Sequence, residues 1–168
     1  IPCPTVSIGS TPSAVHGASF EGITELRAGV YMFGDLDQVG LGTCTVADIA
    51  IGVLTRVRGH DPARNELIVD AGSIAMSLDD RANRRLPNSG YGWVCDVRGR
   101  IIEPLRLTRL SQEHGVVNAL AEDGRVLRAD DEPLPYDQLP IGAPIRVLPN
   151  HARLTAAQFP RYPVIDGP

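Results

Sequence analysis

From residue 44 onward, apolar and polar positions alternate in short runs, broken at close intervals by turn residues. In residues 44–57, Val46 is followed after one slip by Ile49, Ile51, Val53, Thr55 and Val57 on one parity, the period-two pattern of a strand with one buried face. Arg58-Gly59-His60-Asp61-Pro62 reads as a turn, 66–71 as a second strand, and 81–89 as a polar loop ending in Pro87-Asn88-Ser89-Gly90. Alternation returns at 91–97, before a turn at Arg98-Gly99, and again at 105–110, before Ser111-Gln112-Glu113-His114-Gly115. Residues 116–120 and 125–128 flank Glu122-Asp123-Gly124 as the arms of a hairpin. The acidic, proline-rich stretch 130–140 reads as an excursion across the surface, and 141–148 as the last strand. Asn150 is placed to N-cap a short helix through Ala157. Many short strands with turns between them and no internal repeat predict a compact antiparallel β-domain.

The first 35 residues are patterned differently. An apolar segment, 5–8, runs into Gly9-Ser10-Thr11-Pro12-Ser13, and a second strand-like segment spans 25–35. Small residues at both strand ends let backbone N–H groups approach a ligand closely, and the hydroxyls of Ser10, Thr11 and Ser13 add donors. Paired loops of this kind suit a phosphate group. The same residues also make an ordinary turn, for conformational reasons alone. Residues 36–43, rich in glycine, read as a linker.

Composition narrows the classes. The chain has 168 residues, 43% hydrophobic, with a net charge of −4, enough for one domain with a real core. Its only basic cluster is Arg81, Arg84 and Arg85 in an acidic background, which argues against a nucleic-acid partner. The most apolar run, 46–54, is interrupted by Asp48 and Gly52, which argues against a membrane span. The N-terminus has no signal-peptide pattern. Cys3, Cys44 and Cys95 show no C-x-x-C spacing, and a reducing, cytoplasmic setting is expected. All sixteen basic residues are arginines. A chain that starts without Met, almost at once in a strand, reads as the C-terminal portion of a longer polypeptide.

Arg27-Ala28-Gly29-Val30, followed by an aromatic residue and later Gly34-Asp35, resembles the end of the last barrel strand in alanine-racemase-like, pyridoxal-phosphate enzymes of fold type III. With Gly9-Ser10-Thr11-Pro12-Ser13 before it, the pattern is similar to the D-threonine aldolase and D-serine dehydratase branch. Ile68-Val69-Asp70-Ala71-Gly72-Ser73, Tyr91-Gly92, Gln112-Glu113-His114-Gly115 and Pro149-Asn150-His151 follow in family order. Ala28 stands where the family usually has Pro, and Val30 where a polar residue is common; neither change removes a backbone donor.

The resemblance implies a mainly β fold: a compact antiparallel β-domain (39–168) preceded by the last strands of a (β/α)8 barrel (1–38). It implies pyridoxal phosphate held through its phosphate by Gly9, Ser10, Thr11, Gly29 and Val30, with Arg27 near the ring. The lysine that holds the cofactor covalently lies far upstream in the family. The expected activity is that of a lyase or aldolase on small D-configured β-hydroxy amino acids. A racemase, or a catalytically silent dimerisation domain, is the alternative. The expected partners are a second copy of the chain or the barrel portion, with no nucleic acid and no membrane.

In the family His151 is a metal ligand together with a Cys or Asp two positions on. Here that position is Arg153, which stays protonated and cannot ligate. His151 therefore reads equally as half of a metal site or as a polar residue ending the strand. His151 and Arg153 are the expected catalytic residues. Arg153 stands in for the metal's positive charge, favouring a substrate with an extra acidic group or chemistry that needs no polarised β-hydroxyl, such as racemisation, or it is simply a solvent-facing arginine. Glu113 and His114 are adjacent ionisable groups with no evident pairing. Asp70 is expected to bond its own backbone, Cys95 to fill core, and His16 and His60 to lie in polar turns.

Overall fold

The computed structural model describes residues 2–165. The alternating stretches close into a six-stranded antiparallel barrel, and this mainly β architecture is the one expected. Its strands are β3 (Val53–Asp61), β4 (Glu66–Val69), β5 (Gly92–Cys95), β6 (Ile101–Leu110), β7 (Gly115–Ala119) and β8 (Pro144–Pro149), in the order β3-β4-β7-β6-β5-β8, with β8 paired back onto β3. Closure leaves no free edge. Val53, Thr55 and Val57 point inward while Leu54 and Arg56 point out. Leu67, Val69, Val94, Leu105, Leu107, Val117, Ile145 and Val147 complete the core, all at most 1% exposed.

Two further strands stand apart: β1 (Ser7–Gly9) and β2 (Glu25–Arg27) form a parallel pair with Gly9 opposite Arg27. Between them lies α1 (Thr11–His16), where the sequence suggested only a turn. Ser10 caps it by accepting the Ser13 N–H at 3.1 Å, and Pro12 sits in its first turn. The second strand stops at Arg27. Residues 30–34 form a turn instead, with the Phe33 and Gly34 N–H groups donating to the Val30 carbonyl.

Several other expectations are corrected. The stretch 36–43 is no linker but begins with α2 (Leu36–Gly40), a single turn capped by the Asp35 carboxylate and anchored by a fully buried Leu36. The expected strand over 44–57 starts only at Val53. Asp48 accepts both the N–H and the hydroxyl of Thr45, closing a 3-10 turn at Val46–Asp48, a local bond that competes with sheet pairing. The expected turn at 58–62 is instead the end of β3, which continues to Asp61 through a bulge between Val57 and Gly59. The loop 81–89 opens with a 3-10 turn, Arg81–Arg84. Of the hairpin's second arm only the bridge Leu120–Val126 forms.

The stretch 130–140 is more than a surface excursion, since Leu134 and Leu139 are 4% and 7% exposed and join the barrel core. Asn65 draws it in, accepting the Leu134 N–H and donating to the carbonyls of Leu127 and Glu132. Asn150 does not cap the final helix, α4 (Ala152–Ala157), whose N-cap position is His151. Its buried amide instead donates to the Gly90 carbonyl at 2.7 Å and accepts the Ala82 N–H at 2.9 Å. Asp70 bonds mainly across the sheet, to Thr55 Oγ1 and the Arg56 N–H, more than to its own backbone. Among the described residues no helix is long and apolar enough to cross a membrane.

Candidate functional site

The ends of β1 and β2, the helix α2 and the start of α4 converge on one cleft of about 550 Å³. All eight residues expected to hold the cofactor or act in catalysis line it: Gly9, Ser10, Thr11, Arg27, Gly29 and Val30 from the N-terminal segment, His151 and Arg153 from the far end of the chain. Gly9 sits where a Cβ would press on the Arg27 carbonyl at 3.1 Å, a tight contact that favours glycine where the parallel strands approach. At Gly29 a Cβ would meet nothing within 4 Å, which leaves its backbone facing open space.

Of the three hydroxyls expected to face a ligand, two are engaged. Ser10 and Ser13 share a hydrogen bond at 2.8 Å, and Ser10 also caps α1. Thr11 Oγ1 is buried at the cleft and has no hydrogen-bond partner. A buried hydroxyl left unpaired is costly unless a ligand completes it. Together with the open backbone at Gly29, it fits the phosphate of pyridoxal phosphate. Arg27, its Nε held on Ser7 Oγ at 2.9 Å, lies at the same end of the cleft.

The opposite wall is organised by two carboxylates, Asp79 and Asp35, to which the sequence assigned no role of their own. His151 is 4% exposed, and its Nδ1 lies 2.6 Å from Asp79 Oδ2. With Nδ1 held on that carboxylate, Nε2 is the ring nitrogen left for a substrate. Asp35 is fully buried and accepts the N–H groups of Gln38 and Ala152, both at 2.8 Å, joining α2 to the residue between His151 and Arg153. Burial pushes the Asp35 carboxyl above the ordinary range, against the lowering effect of those two N–H bonds. Thr155 adds a further tie, donating to the carbonyls of Met76 and His151.

A divalent metal does not fit this donor set. Position 153 carries a cation with no lone pair to offer, which leaves His151 Nε2 as a lone imidazole donor. Among the described residues no group of three or more His, Cys, Asp or Glu side chains could hold an ion.

The remaining candidates do not line the cleft. The carbonyl of His114 closes a turn with the Ser111 N–H, and Glu113 is exposed beside it. His16 contacts the Leu41 carbonyl, and His60 contacts the Leu139 carbonyl with its ring against Tyr136. Cys95 is buried core, where desolvation first, and Asp96 second, push its thiol up to about 11, leaving it unreactive.

A parallel strand pair whose loops meet a separate β-barrel at one cleft is the arrangement of an alanine-racemase-like protein. An alanine-racemase-like protein from Idiomarina loihiensis superposes with a TM-score of 0.81 at 38% identity, over 95% of this chain and 40% of that one. The family model described as "Putative serine dehydratase domain" matches residues 50–165, and the chain belongs to that family. The D-threo-3-hydroxyaspartate dehydratase of Delftia sp. (strain HT23) is 44% identical over 99% of this chain and 43% of its own length. Its solved structure superposes with a TM-score of 0.84 at 44% identity, over 96% of this chain and 41% of that one. The D-serine dehydratase of Dictyostelium discoideum is 36% identical over 97% of this chain and 40% of its own. The chain thus spans about two fifths of the length of these curated relatives.

Proposed function

We propose that this chain forms the C-terminal part of a pyridoxal-phosphate-dependent lyase that removes the β-hydroxyl of a small D-configured amino acid. The observation that carries the reading is the shared cleft, lined by Thr11 with its unpartnered hydroxyl, by Gly29 with its open backbone, and by His151 and Arg153. Residues 1–38 belong to a cofactor barrel in this reading, and 39–168 form the β-domain that closes over its mouth. The chain contains no lysine, so the lysine that holds the cofactor covalently comes from another segment.

When bound, pyridoxal phosphate supplies the electron sink for the bond broken at Cα. The chain's own residues do the rest. Gly9, Ser10, Thr11, Gly29 and Val30 cradle the phosphate, and Arg27 stands beside the ring. His151 is locked by Asp79 with Nε2 free, and it holds the proton that the departing hydroxyl requires. Asp35 keeps the backbone at Ala152 in place, so that His151 and Arg153 keep their spacing. A homodimer, or association with the barrel portion, and a reducing, cytoplasmic setting complete the reading; the three free cysteines suit that setting.

The test is product analysis with the full-length polypeptide that carries this chain, loaded with pyridoxal phosphate and given D-serine or D-threo-3-hydroxyaspartate. Ammonia and a 2-oxo acid in equal amounts are expected. Glycine with an aldehyde, or the L-enantiomer alone, would replace this reading with an aldolase or a racemase. Thr11→Val should weaken cofactor binding by roughly tenfold, the effect of losing one hydrogen bond to a charged group.

A further inference from the structure

A second buried polar side chain on the cleft wall has donors without a partner. Gln38, on α2, lines the cleft and is 5% exposed, as is Thr11. Its backbone is engaged: the N–H donates to Asp35 Oδ1 at 2.8 Å, and the carbonyl accepts the Thr43 N–H at 3.0 Å. With that carbonyl served by an N–H, the single Thr43 hydroxyl proton goes to Gln38 Oε1, the nearer of its two acceptors at 2.8 Å against 3.1 Å. The amide nitrogen, Nε2, carries two donors and makes no hydrogen bond among the described residues. Thr43 does not line the cleft but a second cavity, of about 350 Å³, and Thr11, Val30 and Gln38 line both spaces. These three residues form the partition between them. Thr43 draws Oε1 to the far side, which leaves Nε2 for the cleft, on the same partition as the unpartnered Thr11 hydroxyl.

We infer that the Gln38 amide is a further phosphate-binding group, donating to the cofactor's phosphate beside the Thr11 hydroxyl, and that Thr43 is the positioning residue that orients it. This rests on the cofactor reading above and adds to it two residues from the stretch 36–43, whose composition reads as a linker. A phosphate takes several donors in a concave nest, and a primary amide offers two without bringing charge. Buried donors left unpaired are costly, and an anion at the partition completes those of Thr11 and Gln38 together. The same helix ties this end of the cleft to the other. Asp35 accepts the Gln38 N–H on Oδ1 and the Ala152 N–H on Oδ2, so one fully buried carboxylate joins Gln38 to the turn that carries His151. The phosphate and His151 are thus held from one anchor.

Two measurements test it, both in the full-length polypeptide that carries this chain, first freed of cofactor. The first needs no variant. With glutamine labelled by nitrogen-15, inorganic phosphate should shift the Gln38 side-chain amide resonances, and an unmoved pair would overturn the inference. The second compares pyridoxal phosphate with pyridoxal, which lacks the phosphate. Gln38→Leu keeps the bulk and removes the donors. It should weaken pyridoxal phosphate about tenfold, the effect of losing a hydrogen bond to a charged group, and leave pyridoxal binding unchanged. The phosphorus-31 resonance of the bound cofactor should move in the same variant. Thr43→Val should weaken pyridoxal phosphate about threefold through the lost orientation of the amide, and Thr43→Ser should restore it. An equal loss for both probes would make Gln38 a structural residue of α2 and overturn the inference, as would pyridoxal phosphate binding that ignores Gln38→Leu. A phosphate-dependent loss in a protein that turns over neither D-serine nor D-threo-3-hydroxyaspartate strikes the lyase reading and leaves Gln38 in place. Turnover, with Gln38→Leu binding the cofactor as the wild type does, gives the reverse.

Discussion

The barrel and the β1–β2 segment draw on the same kinds of residue but satisfy their backbones in different ways. In the barrel every strand has two neighbours, and the apolar side chains point into a core where Leu67, Leu107 and Val147 are fully buried. In the N-terminal segment two three-residue strands have only each other. Val6, Val15, Phe20 and Leu26 are 40–44% exposed there, and Tyr31 and Met32 about 70%. A parallel pair exposed in this way is not a stable unit in water, because parallel sheets occur with both faces covered. The difference is between strands that are all paired around a buried core and two strands that leave apolar side chains exposed. The cleft lies at their junction.

The largest effect that would break this comparison is in hydrogen exchange. In the 168-residue chain, amides of Val57, Val69, Val117 and Val147 should exchange roughly a thousandfold more slowly than those of residues 7–9 and 25–27. In the full-length polypeptide the two sets should converge. Equal protection in the short chain would mean that the N-terminal segment is self-sufficient after all.

A smaller effect sharpens it through side chains. Leu67 is fully buried in the barrel, so Leu67→Ala should cost about 3 kcal/mol in denaturant unfolding. Leu26 is 41% exposed, and Leu26→Ala should change the short chain by no more than about 0.5 kcal/mol. The cost of Leu26→Ala should rise in the full-length polypeptide, where its face is covered. A like cost in both settings would show that nothing packs on β2.

The same contrast explains what was legible from sequence. Strands 66–71, 91–97 and 105–110 were readable because a closed barrel imposes strict inward-outward alternation. The turns at Gly90, Gly99 and Gly124 were readable because each has a positive φ, of 57°, 84° and 85°. The stretch 44–52 misled because its alternation is real, but Thr45 and Asp48 close a local turn that composition does not reveal. α2 was missed because a five-residue helix has no period of its own; Asp35 and the burial of Leu36 hold it. The acidic, proline-rich character of 130–140 hid two core leucines that Asn65 pulls inward. At the site, local motifs named the cleft residues, which the fold brings together. They could not name Asp79 and Asp35, whose bonds to the 151–152 turn cross 72 and 117 residues of chain.

The smallest effect concerns a barrel surface carboxylate and should leave the N-terminal segment untouched. Asp70 ties the end of β4 back to β3, accepting Thr55 Oγ1 at 2.6 Å and the Arg56 N–H at 2.9 Å, with Arg58 Nε 3.8 Å away. Partial burial pushes its carboxyl up, but these bonds and the Arg58 charge outweigh that and hold it below the ordinary range. A carboxylate depressed in the folded state adds stability that is fully present above its unfolded pKa. That stability is lost as pH falls through the folded value. The side chain is 42% exposed, so solvent screening limits the contribution to about 1 kcal/mol or less. Asp70→Asn should therefore lower unfolding stability by that amount at pH 7, and the gap to the wild type should close progressively below about pH 4. Exchange should quicken at residues 53–61 and 66–69 and stay the same at 7–9 and 25–27. A gap that persists at pH 2.5 would assign the contribution to the shape of the Asp70 side chain and not to its charge.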